Sequence, residues 1–166
     1  MRPHAPGPRR YPGAPMVLYL VRHAKAGSRS AGTGPDDRRP LTTNGRAQAE
    51  AIAERLAGVP VARVLSSPYV RCIQTVEPLA RTHGLTVETT DALAEGRPFE
   101  PVLALLAGAA EHTVLCTHGD VLPDVLDALV RRGTQVDGPA DMRKGVTWVL
   151  ERKGGGVVRA HAVPPP

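Results

Sequence analysis

Apolar positions along the chain fall into short blocks of two kinds, and the two kinds alternate. Met16 to Val21 is apolar at every position, the pattern of a strand buried on both faces. A polar loop follows, "AGSRSAGTGPDDRRP". Thr42 or Thr43 then stands where it can cap a helix running to about Ala57, with Ile52 and Leu56 four apart on one face and Gly58 as its stop. "VARVLSS" predicts a second strand ending at Ser66 and Ser67. Pro68 suits the first turn of the next helix, which carries Arg71, Ile73, Thr75 and Val76. Pro78 is expected to kink or interrupt that helix, and Gly84 to end it. "LTVET" reads as a short strand, Pro98 to Leu106 as a helix, and "TVLCT" as a fourth strand. His118-Gly119-Asp120 opens a helix ending near Arg132. "VTWVLER", "KGGG" and "VVRAHA" together predict an antiparallel hairpin. Alternation of this kind predicts an α/β fold: a three-layer sandwich with a mostly parallel central sheet, helices on both faces and a C-terminal antiparallel hairpin.

Length and composition change this picture only at its edges. At 166 residues the chain suits one domain with a proper core, and with aromatics at 3% that core is built from Val, Leu and Ala. Residues 1–15 are expected to be a disordered Pro/Arg-rich leader, residues 16–163 the folded domain and residues 164–166 a Pro tail. No apolar run approaches a membrane span, and the N-terminus has no apolar signal core, so the expectation is a cytoplasmic protein without a membrane partner. Net charge is +5, yet Arg2, Arg9 and Arg10 lie in the acid-free leader. The rest holds 18 basic against 16 acidic residues, +2, which argues against nucleic acid as a partner. Cys72 and Cys116 read as small buried apolar residues rather than a disulfide. The histidines have no metal-ligand spacing, so neither a metal nor another cofactor is expected.

Ligands of open α/β sheets bind beyond the carboxyl ends of the strands. Arg22 and His23 follow the first strand there, the segment leading to Arg71 follows the second, and His118 follows the fourth. A phosphoryl group needs fixed cations that match tetrahedral oxygens, which Arg supplies bidentately. Arg22, Arg71 and Arg39 would form such a cradle, helped by helix N-termini after Ser67 and Gly119. A histidine flanked by arginines resists protonation and stays available for attack. His23 would take the phosphoryl group as a phosphohistidine, which water then cleaves, while His118 donates to the developing charge.

The segments "LVRHA", "RRPLTTNGRAQAE", "SSPYVRCIQT" and "CTHGD" resemble the histidine phosphatase superfamily, which includes phosphoglycerate mutases and acid phosphatases. "RPLTTNG" is most similar to the SixA-type phosphohistidine phosphatases. "VRHAKAGSRS", "QTVEPLA" and "RKGVTWVL" are closer still to the phosphatase domain fused to Nudix hydrolases in actinobacteria. The resemblance runs from about Met16 to Val163. It implies His23 as nucleophile with Arg22 beside it, Arg71 as the second phosphate arginine, His118 as the second histidine, and Arg39, before "PLT", as a further phosphate ligand. The family's usual Arg-His-Gly reads Arg-His-Ala here, with Ala24 in third place. Many members carry a carboxylate in Leu-x-Glu as general acid, and Leu93-Ala94-Glu95 fits that pattern. An alkoxide leaving group needs such a proton; phosphate or protonated imidazole does not.

The expected activity is therefore a cofactor-independent phosphatase acting on a phosphorylated small molecule or a phosphohistidine protein. A phosphohistidine or a nucleoside diphosphate is favoured, and the spacing leaves room for only a small lid, which argues against a mutase. The alternative is a phosphate-binding regulatory module without turnover. Lys25 and Arg29 read as solvated loop charges, "DDRR" as a surface turn, Ser67 as a helix cap, Asp120 as a cap or dipole partner, and Trp148 as packing.

Overall fold

Successive side chains of a strand point to opposite faces, so a strand apolar throughout needs cover on both. In β1 (Met16–Arg22), Leu18 and Leu20 enter a cluster with Val102, Leu106, Leu122 and Leu126, while Tyr19 and Val21 enter another with Ile52, Cys72, Val76 and Leu79. The two clusters are the two interfaces of a three-layer α/β sandwich. Helices α1 (Thr43–Arg55) and α2 (Val70–Thr82) cover one face of the sheet, and α3 (Glu100–Gly108) and α4 (Val121–Arg131) the other. Leu18, Leu20, Leu115, Leu122 and Leu150 are fully buried. Each contributes about 1.5–3 kcal/mol relative to exposure, which is how a chain so poor in aromatics holds a core.

The computed structural model describes residues 14–29 and 34–166. Its seven strands lie in the order β3-β2-β4-β1-β6-β7-β5, with β2 (Arg63–Ser66), β3 (Val87–Thr89), β4 (Thr113–Thr117), β5 (Gln135–Asp137), β6 (Thr147–Lys153) and β7 (Gly156–Val163). From β3 to β1 every pairing is parallel. On its other side β1 pairs antiparallel with β6, with Tyr19 opposite Val149, and β6 continues antiparallel into β7. The expected hairpin is therefore β6–β7, and it extends the sheet from β1. Among the described residues no helix is long and apolar enough to cross a membrane. The expected leader, apart from Ala14 and Pro15, lies outside the described residues.

Several expectations are corrected. Pro78 does not interrupt α2, which runs unbroken from Val70 to Thr82. A mid-helix proline costs about 3 kcal/mol, but Cys72, Val76, Leu79 and Ala80 bury one face of this helix and outweigh that cost. Pro68 lies before the helix rather than in its first turn, and Ser67 is not its cap; Tyr69 holds the N-cap position. Strand β5 had no counterpart in the sequence reading. It is three residues long and exists through its parallel pairing with β7. "DDRR" contributes a turn of 3-10 helix, Asp36–Arg38, that is more than surface, as shown below.

Candidate active site

His23 is the first residue beyond β1. Its N–H donates to the Thr117 carbonyl at 3.0 Å, prolonging the β1–β4 ladder so that the sheet itself fixes the backbone. The ring Nδ1 lies 2.8 Å from the Ala24 carbonyl. A carbonyl only accepts, so Nδ1 carries the proton and Nε2 keeps its lone pair. Ala24 is wholly buried, and its N–H donates to Thr75 Oγ1 at 2.9 Å. Burial lowers the His23 pKa to about 4; the Ala24 contact opposes this, and Arg71, Arg22 and Lys144 reinforce it. The ring is neutral at physiological pH.

His118, at the end of β4, packs edge-on against His23 with ring centroids 5.4 Å apart. Its Nε2 is 2.8 Å from Ser67 Oγ, which also accepts the Tyr69 N–H at 3.2 Å. Ser67, expected to cap a helix, instead contacts this second histidine. Burial, then Arg71 and His23, lower the His118 pKa to about 3.

The arginines converge from three elements. Arg22 ends β1, and its Nη1 donates to the Met142 carbonyl at 2.6 Å. A Cβ at Gly119 would stand 2.5 Å from the Arg22 guanidinium carbon, so the glycine of "CTHGD" makes room for that side chain. Arg71, in the first turn of α2, is 1% exposed. It donates to the Asp36 carbonyl at 2.8 Å, to Asp36 Oδ2 at 3.2 Å and to Glu95 Oε2 at 3.1 Å. Arg39 donates from Nε to Asp36 Oδ1 at 3.0 Å and from Nη1 to the Gly27 carbonyl. Asp36 thus ties Arg39 to Arg71, and its own pKa is lowered: burial opposes the shift, but the Arg39 hydrogen bond and Arg71 outweigh it. Glu95 also pairs with Arg29. Among the described residues, Arg22 Nε, Arg71 Nε and His118 Nδ1 are buried without a hydrogen-bond partner.

These groups border a cavity of about 480 Å³ lined by Arg22, His23, Arg39, Arg71 and Glu95 together with Lys25, Arg29, Asp120 and Lys144. The six site residues predicted from sequence come together, with His118 set against His23 rather than in the cavity wall. Lys25 and Arg29, read as solvated loop charges, are exposed and also border the mouth of the cavity. Asp120 accepts from the Gly96 N–H at 2.7 Å and makes no side-chain cap. Trp148 is buried, with its indole N–H donating to the Asp141 carbonyl at 2.8 Å. Cys72 and Cys116 are free thiols, both buried. The sequence reading missed Asp36, Gln74, Thr75 and Lys144. Gln74 accepts from the Leu41 N–H at 2.9 Å and Thr75 from Ala24, so "RCIQT" holds two backbone segments besides delivering Arg71. The fixed offsets from Arg71 were the available signal.

The profile of the histidine phosphatase superfamily (branch 1) matches residues 18–100. The 8-oxo-(d)GTP phosphatase of Mycolicibacterium smegmatis is 35% identical over 156 residues, covering 90% of this chain and 48% of that protein. The phosphohistidine phosphatase SixA of Escherichia coli is 41% identical over 64 residues, 37% of this chain and 38% of that one. The chain spans less than half the length of these curated relatives. In three dimensions, a histidine phosphatase SixA solved with tungstate shares the fold, with a TM-score of 0.71 at 24% identity over 86% of this chain and 92% of that one.

Proposed function

The chain belongs to the histidine phosphatase superfamily, branch 1, and from that premise we propose that it is a cofactor-independent phosphatase working through a covalent phosphohistidine on His23. One observation carries the reading: three buried nitrogens without partners, Arg22 Nε, Arg71 Nε and His118 Nδ1, belong to side chains gathered at a neutral imidazole whose Nε2 is unprotonated. Leaving a buried polar group unpaired costs about 1–3 kcal/mol, and an oxyanion bound there removes that cost. We assign the single proton of the neutral His118 ring to Nδ1, with Nε2 accepting from the Ser67 hydroxyl 2.8 Å away.

The steps balance without an external acid. Nε2 of His23 attacks phosphorus, the Nε2–P bond forms, and the bond to the leaving group breaks with its electron pair. Arg22 and Arg71 neutralise the equatorial oxygens, and His118 donates to one of them. Water then attacks phosphorus, the Nε2–P bond breaks, and orthophosphate and a proton are released from a regenerated neutral ring. Both oxygens of Glu95 accept from guanidinium groups, those of Arg29 and Arg71, which is an acceptor's role. A substrate whose leaving atom needs no proton from the enzyme suits this site: a phosphohistidine protein, its imidazole already protonated on the other nitrogen, or the terminal phosphate of a nucleoside diphosphate. The two named relatives, an 8-oxo-(d)GTP phosphatase and a phosphohistidine phosphatase, support a nucleotide phosphate or a phosphohistidine as the broader substrate classes.

The test is phosphate release from a nucleoside diphosphate and from a histidine-phosphorylated carrier protein, by wild type and His23→Ala. Wild type is expected to turn over at least one, with kcat/KM falling by roughly a thousandfold or more in the variant. Silence of folded wild type on both substrates would overturn the reading and favour a binding module without turnover.

A further inference from the structure

The mechanism leaves four cations at the cavity unused, Lys25, Arg29, Arg39 and Lys144, and the two lysines differ from the two arginines. Lys25 follows His23 by two residues, and Lys144 comes from the segment before β6; both line the cavity beside His23. The arginines there have carboxylates to answer them. Arg39 and Arg71 donate to Asp36, and Arg29 and Arg71 to Glu95. Asp120 acts electrostatically on Arg22. Lys25 and Lys144 have no ion pair among the described residues. Burial lowers the pKa of Lys144, and Arg22, Arg39, Lys25 and Arg71 lower it further, so positive charge is crowded at this rim.

The two lysines are held where they are. Gln48 of α1 accepts from the Lys25 N–H at 3.0 Å and donates to the Lys144 carbonyl at 3.4 Å, bridging the two segments. The Lys25 carbonyl accepts from the Thr42 N–H at 3.0 Å. Gly145, next to Lys144, donates to the His23 carbonyl at 3.1 Å, so Lys144 is fastened to the backbone of the nucleophile. None of these bonds uses the lysines' ammonium groups, which have no ion pair among the described residues.

Asp36 and Glu95 answer part of the arginine charge, and the buried Arg22 Nε and Arg71 Nε are the donors left for the transferred phosphoryl group, whose own charge is roughly −1.5 to −2. The cavity, at about 480 Å³, lies within the range of about 300–1,000 Å³ that takes a drug-sized ligand. We propose that Lys25 and Lys144 form a second anion subsite for the non-transferred phosphate of an organic diphosphate, making such a diphosphate the substrate class rather than a phosphohistidine protein. The inference rests on the reading of His23 given above. When the bond to the bridging oxygen breaks, its electron pair stays on the departing monophosphate, and the lysines neutralise that charge where no proton donor is needed.

Calorimetric binding of methylenediphosphonate and methylphosphonate, neither with a scissile P–O–P bridge, tests this without turnover. Wild type is expected to bind the diphosphonate about fivefold or more tighter, and Lys25→Gln/Lys144→Gln to lose that preference to within about twofold. High salt is expected to shrink it, because both ammonium groups reach solvent. A wild-type preference below about fivefold, or one the double variant keeps, would overturn the proposal. Failure here leaves His23-dependent turnover standing, whereas loss of turnover with the preference intact would overturn only the catalytic reading.

Discussion

Two imidazoles, 5.4 Å apart and both out of water, lie close to four cations: Arg22, Arg71, Lys144 and Arg39. Charging either ring means desolvating a cation next to other cations, so both stay neutral far below the ordinary histidine range. Imidazole ¹⁵N shifts of His23 and His118 are expected to keep neutral values from pH 8 down to 5. A transition near pH 6.5 in either ring would contradict the desolvation argument. Arg22, His23, Arg71 and His118 were legible because strand ends collect ligands in this class of sheet. Asp36 was not. As sequence it is one acid in a run of charges, and its hold on Arg39 and Arg71 exists only once the 3-10 turn has folded onto α2. Thr75 and Gln74 were hidden for a similar reason, since neither residue type announces a backbone partner tens of positions away.

Among the elements, α1 shows local preference and tertiary fit in conflict. Gly45 sits in its first turn, where alanine would be the better helix former by about 1 kcal/mol. A Cβ there would stand 2.0 Å from the Lys25 carbonyl oxygen, a backbone atom fixed by Thr42. Steric cost outweighs propensity, so Gly45→Ala is expected to destabilise by about 2 kcal/mol, read as a lower urea midpoint at unchanged slope. A stabilised variant would show that α1 can slide away from the Lys25 segment. Helix starts and stops came within a few residues from sequence because caps and glycines mark them; Thr42 proved to be the cap of α1, its Oγ1 accepting from the Gly45 N–H at 3.0 Å. Strand β5 and the unbroken course of α2 through Pro78 were not legible, because neighbours decide both.

For the molecule as a whole, the neutral rings make stability depend on acidity. Unfolded histidine takes up its proton near pH 6.5, while folded His23 and His118 do so only near 4 and 3. Below pH 6.5 the unfolded chain therefore binds more protons, and stability falls with pH until the folded rings titrate. Between pH 7 and 5 the loss amounts to about 2 kcal/mol per ring, a large share of a domain's total of about 5–15 kcal/mol. Urea midpoints at the two pH values are expected to show it, and His23→Gln to reduce it. An equal decline in the variant would assign the effect to other groups.

The reversed course of β6 beside β1 carries a consequence of its own. In a wholly parallel sheet only the stretches that follow strands reach the ligand rim, and those stretches also launch the crossover helices. Because β6 runs the other way, the stretch that precedes it, bearing Met142 and Lys144, arrives at the same rim without launching a helix. Lys144 can therefore drift in type without putting any helix of the scaffold at risk. One reversed strand thus brings a cation to the ligand rim on a stretch from which no crossover helix departs.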